Sequence, residues 1–83
     1  MNDMAKSAAD IADDIRKFMN KNSIDVWTME WEEFYDLTER VRMKDAFQQL
    51  LQEEVHTRGL LLSYGRAAVI ICRDYNFQPK KYR

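Results

Sequence analysis

Residues 43–72 read MKDAFQQLLQEEVHTRGLLLSYGRAAVIIC, and the spacing of their apolar residues changes at Gly59. Before the glycine, Met43, Phe47, Leu50, Leu51 and Val55 fall on one stripe, with Ala46 beside them. That spacing predicts a helix from Met43 to Thr57 with one buried side. Arg58 and Gly59 close it, as a basic last-turn residue followed by a glycine does. After Gly59 come two short apolar runs, 60–62 and 67–72, split by Ser63-Tyr64-Gly65-Arg66. Runs of this length around a glycine-bearing turn predict a β-hairpin.

Upstream, Trp31, Phe34, Tyr35, Leu37 and Thr38 predict a shorter helix over residues 31–40. Residues 38–42, TERVR, form a weak turn signal without glycine or proline. One continuous helix from Trp31 to His56 is the competing reading. Residues 24–29 alternate, with Ile24, Val26 and Thr28 set against Asp25, Trp27 and Met29, and predict a short strand. The first helix is expected over residues 3–20. Its stripe is Met4, Ala8, Ile11, Ile15, Phe18 and Met19, and Asn2 or Asp3 would cap it. The fold class is therefore α+β: three helices, a C-terminal hairpin and a short extra strand, in one domain spanning 1–83. Residues 78–83, QPKKYR, read as a basic, flexible tail. The expected core is Ile11, Ile15, Phe18, Phe34, Leu37, Phe47, Leu50, Leu51, Val69 and Ile71. On this reading Phe47→Ala costs about 3–5 kcal/mol.

Eighty-three residues bound the chain to one small domain, whose core is modest in size. No apolar run reaches eighteen residues, so no transmembrane helix is predicted. Residues 1–14, MNDMAKSAADIADD, lack the basic and apolar regions of a signal peptide. The single cysteine, Cys72, lies in an apolar strand, where a buried, reduced thiol is the usual state. Together these features predict a cytoplasmic protein. The net charge of −1 hides an uneven distribution. Residues 1–39 carry four Lys/Arg against ten Asp/Glu, and residues 40–83 carry nine against four. The second half would therefore attract anions, either phosphate or an acidic protein.

The order of helix, strand, helix, helix and hairpin over residues 3–77 resembles that of winged helix-turn-helix proteins. The resemblance is one of architecture and carries no residue motif. It implies that the third helix docks in the major groove and that the hairpin contacts the backbone. Arg42, Gln48, Gln49, Gln52 and His56 lie on or beside the polar side of that helix. Arg and Gln are the side chains that pair with base edges. In this reading Arg42, Gln49 and Gln52 face bases, while Lys44, Arg58 and Arg66 face phosphates, with Arg40 in support. Lys80, Lys81 and Arg83 add unspecific attraction. Asp45, Glu53 and Glu54 place three negative charges on the same helix and oppose this role. Two functions follow as expectations. One is a small, dimeric, phage-type transcriptional regulator bound to double-stranded DNA. The other is an adaptor or inhibitor on the same fold that binds a host protein complex through its acidic half.

Catalysis has little to work with. His56 is the only histidine and has no second metal ligand at zinc-protease spacing. Asp10, Asp13 and Asp14 lack the spacing and glycine of a calcium loop and read as a solvated helix face. Gly59 and Gly65 stand alone, so there is no phosphate-cradling loop. No cofactor, metal or enzymatic activity is expected. Trp27 and Tyr64 are the aromatics expected at the surface, where an exposed pair would form a partner hot spot.

Overall fold

The computed structural model of the protein describes residues 6–74. Along the chain lie α1 (Ala8–Lys21), β1 (Val26–Glu30), α2 (Trp31–Thr38), α3 (Asp45–His56), β2 (Leu60–Tyr64) and β3 (Ala68–Arg73). The α+β layout of three helices and a three-stranded antiparallel sheet agrees with the expected fold class. The expected tail at 78–83 and the residues around Asn2 and Asp3 lie outside the described residues.

Within the described residues α1 begins at Ala8. Ser7 is the cap, its Oγ accepting from the Asp10 N–H at 3.1 Å. Ala8, Ile11, Ala12, Ile15 and Met19 form the buried stripe. The helix ends as the chain turns through Ser23, whose φ of 53° is left-handed. The Ile24 N–H reaches back to the Met19 carbonyl at 2.9 Å, and Ile24 packs against the core.

The second helix stops at Thr38, two residues short of the expected end, and the continuous helix to His56 is not formed. Glu39 takes a left-handed φ of 57°. Its N–H bonds the Asp36 carbonyl, and the Arg40 N–H bonds the Tyr35 carbonyl, each at 3.2 Å. These are the two bonds of a Schellman stop, with glutamate where glycine is usual. Residues 40–44 then cross without regular structure to α3. Met43 therefore precedes the third helix instead of opening it.

In the sheet β3 lies between β1 and β2. The register sets Trp27, Ile71 and Leu62 in one row and Met29, Val69 and Tyr64 in the next. Both rows face the helices. α1 packs on α3, α3 on β2, and α2 on β1 and β3. One core drawn from all six elements holds Ile11, Ile15, Met19, Met29, Phe34, Leu51, Val55, Leu60, Val69 and Ile71. The alternate rows, Val26–Cys72–Leu61 and Thr28–Ile70–Ser63, lie on the other face of the sheet. That face is open: Val26 is 61% exposed and Ile70 40%. Cys72 is half-buried there, not enclosed in a core.

Four expected core residues behave differently. Phe18 is 44% exposed and Leu50 46%. Phe18 sits at the margin of its stripe, where Trp27 covers only one side of the ring, at 4.5 Å. Leu50 points away from both supports of α3. Leu37 and Phe47 are half-buried against the core. Phe47 is covered by Arg40, whose guanidinium carbon stands 3.6 Å from the ring centroid. The expected penalty for Phe47→Ala falls accordingly.

Candidate functional site

Two surfaces bear on function: the exposed side of α3 with the hairpin tip, and a groove between α1 and α2. On the first, the eight residues expected to contact DNA divide into two groups. Arg42, Lys44, Gln49, His56 and Arg66 are exposed. Arg42, Lys44 and Arg66 form no ion pair among the described residues. The remaining three are engaged within the domain or partly covered. Gln52 donates from Nε2 to the Leu62 carbonyl at 3.0 Å and so caps the outer side of β2. Gln48 is half-buried, and its carbonyl accepts the Tyr64 hydroxyl at 2.9 Å. Burial pushes the Tyr64 phenol up from its ordinary value.

Arg58 is the most committed of the group. Its Nε donates to Asp13 Oδ1 at 2.8 Å, which ties α1 to the end of α3. Its Nη1 donates to the Glu54 carbonyl at 2.7 Å and to Glu54 Oε1 at 2.9 Å. Reaching a phosphate would break both ion pairs. What remains exposed along α3 is Asp45, Ala46, Gln49, Leu50, Glu53 and His56, a surface with two carboxylates and no Lys or Arg. Arg40, the supporting cation, lies over Phe47 and donates from Nη2 to the Lys6 carbonyl at 2.9 Å. No cluster of three His, Cys, Asp or Glu side chains suited to a metal occurs among the described residues.

The Arg58 pair makes a prediction about acid stability. The hydrogen bond from Arg58 is the main reason that the Asp13 carboxyl is held below its ordinary value. A depressed carboxylate contributes stability that is complete above the unfolded value of about 3.9 and is lost as pH falls through the lower folded value. Arg58→Gln is therefore expected to flatten the fall in stability below about pH 4. Urea midpoints of both proteins at neutral pH and through the acid range test this. Parallel acid limbs would refute it.

The second surface is a cavity of about 500 Å³ between α1, β1 and α2. Phe18, Trp27 and Leu37 supply its apolar lining, and Asp14, Glu33 and Asp36 stand with Lys6 around it. Lys6 bridges Asp14 at 2.9 Å and Glu39 at 3.5 Å. From Asn22 to Glu39 the chain carries Asp25, Glu30, Glu32, Glu33, Asp36 and Glu39 and no Lys or Arg. Glu30, Glu32, Glu33 and Asp36 have no ion-pair partner among the described residues. A half-exposed aromatic ring beside the two uncompensated carboxylates of Glu33 and Asp36 suits a ligand that is apolar in part and cationic in part.

Of the two aromatics expected at the surface, neither is fully exposed, and they do not pair. Trp27 meets Phe18 in the groove with the two rings tilted by 30°. Tyr64 stacks on Trp31 at 5.7 Å and meets the edge of Phe34 at 5.9 Å. Helical period alone places Phe18 and Leu37 in the core, whereas both line the groove. The signal that marks the groove is the lysine- and arginine-free stretch that reaches from Asn22 to Glu39. Comparison with protein-family models, with curated proteins and with solved structures finds no match to the chain. No helix among the described residues is long and apolar enough to cross a membrane.

Proposed function

We propose that the chain is a protein-binding adaptor or inhibitor of winged-helix build, acting in the cytoplasm, whose groove between α1 and α2 receives a basic, apolar-anchored segment of a partner. The element order and the sheet order β1-β3-β2 support the winged-helix reading. The observation that carries the function is the joining of an apolar lining, Phe18, Trp27 and Leu37, to the unpaired carboxylates of Glu33 and Asp36. Such a surface attracts cations over a distance of about 8 Å at physiological salt and then buries an apolar anchor. The lone, half-buried Cys72 is consistent with a reducing compartment.

The second reading is a DNA-binding regulator. Three exposed, unpaired cations favour it: Arg42 and Lys44 before α3, and Arg66 at the hairpin tip. Two titrations at about 50 mM salt separate the readings. One uses a labelled duplex of about 20 base pairs, and the other a short basic peptide in which valines and lysines lie two residues apart, so that both kinds of side chain share a face when it is extended. The peptide is expected to quench Trp27 fluorescence. The double variant Glu33→Lys, Asp36→Lys is expected to weaken peptide binding by about tenfold or more. Duplex binding with a steep salt slope, reduced by about one unit in Arg66→Ala, together with no peptide binding, would put the DNA reading first.

A further inference from the structure

β1 is an outer strand, and its register shows which of its backbone groups are unpaired. The Arg73 N–H bonds the Asp25 carbonyl at 3.0 Å, so Asp25, Trp27 and Met29 direct their backbone groups toward β3. Val26 and Thr28 direct theirs away from the sheet, and Glu30 directs its N–H that way, while its carbonyl caps the first turn of α2. All three are exposed, and no further strand pairs with them. The other outer strand, β2, is partly closed, because Gln52 takes the Leu62 carbonyl on that side. Among the described residues, the open line of backbone donors and acceptors is therefore on β1. Trp27 belongs both to this strand and to the lining of the groove.

We propose that the partner segment binds as an added β-strand on β1. Its backbone pairs with Val26 and Thr28, an apolar side chain enters the groove beside Trp27 and Phe18, and a lysine or arginine two residues along, on the same face of the added strand, meets Glu33 and Asp36. The inference rests on the groove being the binding site and specifies how its occupant lies. Strand addition takes affinity from main-chain hydrogen bonds and specificity from pockets that receive alternate side chains. Both parts are present here, side by side. Charge selects the occupant. A second copy pairing through β1 would bring two acidic stretches together, each with Glu30, Glu32, Glu33 and Asp36 unpaired. Such like-charge contact opposes self-association, and a charged residue on an edge strand is a known guard against it. A basic strand meets no such barrier.

The test uses the full chain and the lysine/valine peptide in three forms: unmodified, N-methylated at alternate residues in one register, and N-methylated in the other. N-methylation removes a backbone donor and leaves side chains and charge unchanged. One methylated form is expected to lose about tenfold or more in affinity and the other little. The Val26 and Thr28 amide protons are expected to exchange quickly in the free protein and about tenfold or more slowly with the unmodified peptide. Thr28→Pro removes one outward donor at an edge position that tolerates proline, and is expected to weaken binding with the folded spectrum retained. If the peptide binds and quenches Trp27 but both methylated forms bind equally, strand addition is wrong while the groove stands. If no form binds, the groove itself is not the site. Slow exchange at Val26 and Thr28 without peptide, rising with protein concentration alongside a doubled mass, would assign the edge to a second copy and overturn the proposal.

Discussion

Ile71→Ala is expected to destabilise the domain by about 2–5 kcal/mol, while Ile70→Ala, one residue away, costs about 1 kcal/mol. Ile71 is on the central strand, wholly buried, between Trp27 and Leu62 in the inner row. Truncation there loses the transfer energy of the side chain and leaves a cavity enclosed on every side. Ile70 occupies the opposite face between Thr28 and Ser63 and is 40% exposed, so solvent fills the space that its side chain leaves. A domain of 83 residues has roughly 4–12 kcal/mol in total, so the inner substitution removes a large share. Urea melts of the two variants decide the matter. Equal losses would mean that the two faces of the sheet are equally covered.

Phe34→Ala is expected to cost about 3–5 kcal/mol, against about 1–2 kcal/mol for Phe47→Ala. Phe34 is fully buried and packs at its edge against Trp31, at 5.8 Å, and Tyr64, at 5.9 Å. Removing its ring opens the junction of α2 with the hairpin and deprives two other aromatic rings of their neighbour. Phe47 is half-buried under Arg40, a flexible side chain that can settle into the space left behind. The same melts measure both. A larger loss at Phe47 than at Phe34 would show that α3, not α2, anchors the core.

The parts of the fold that announce themselves in the sequence are those where one local rule suffices. The change of period at Gly59 locates both α3 and the hairpin, and alternation over 24–29 locates β1 to within two residues. The stop after α2 is silent because a glutamate fills the left-handed position. Two backbone hydrogen bonds hold Glu39 there, and no residue type signals them. Phe18 and Leu50 show a second limit. Periodicity tells which residues share a helix side, but the margins of that side are buried only if a neighbour reaches them. The groove is harder still, since Phe18, Trp27 and Leu37 come from three elements and meet only in the folded chain. Its electrostatic half is legible as a stretch of carboxylates without a cation. The engagement of Arg58 with Asp13, 45 residues away, is not. That pairing withdraws one cation from a surface on which Arg42, Lys44 and Arg66 stay unpaired among the described residues.

Trp31 joins two parts of the molecule that the chain keeps far apart. Its indole Nε1 donates to the Gly65 carbonyl at 2.8 Å while its ring stacks on Tyr64, so the first residue of α2 is fastened to the hairpin turn. A turn held in this way has already given up much of its conformational freedom on folding. A partner touching Arg66 meets an organised tip and loses little entropy in ordering it. The same fastening makes the indole N–H of Trp31 a built-in sensor, because its magnetic resonance signal depends on a bond that any displacement of the hairpin must lengthen.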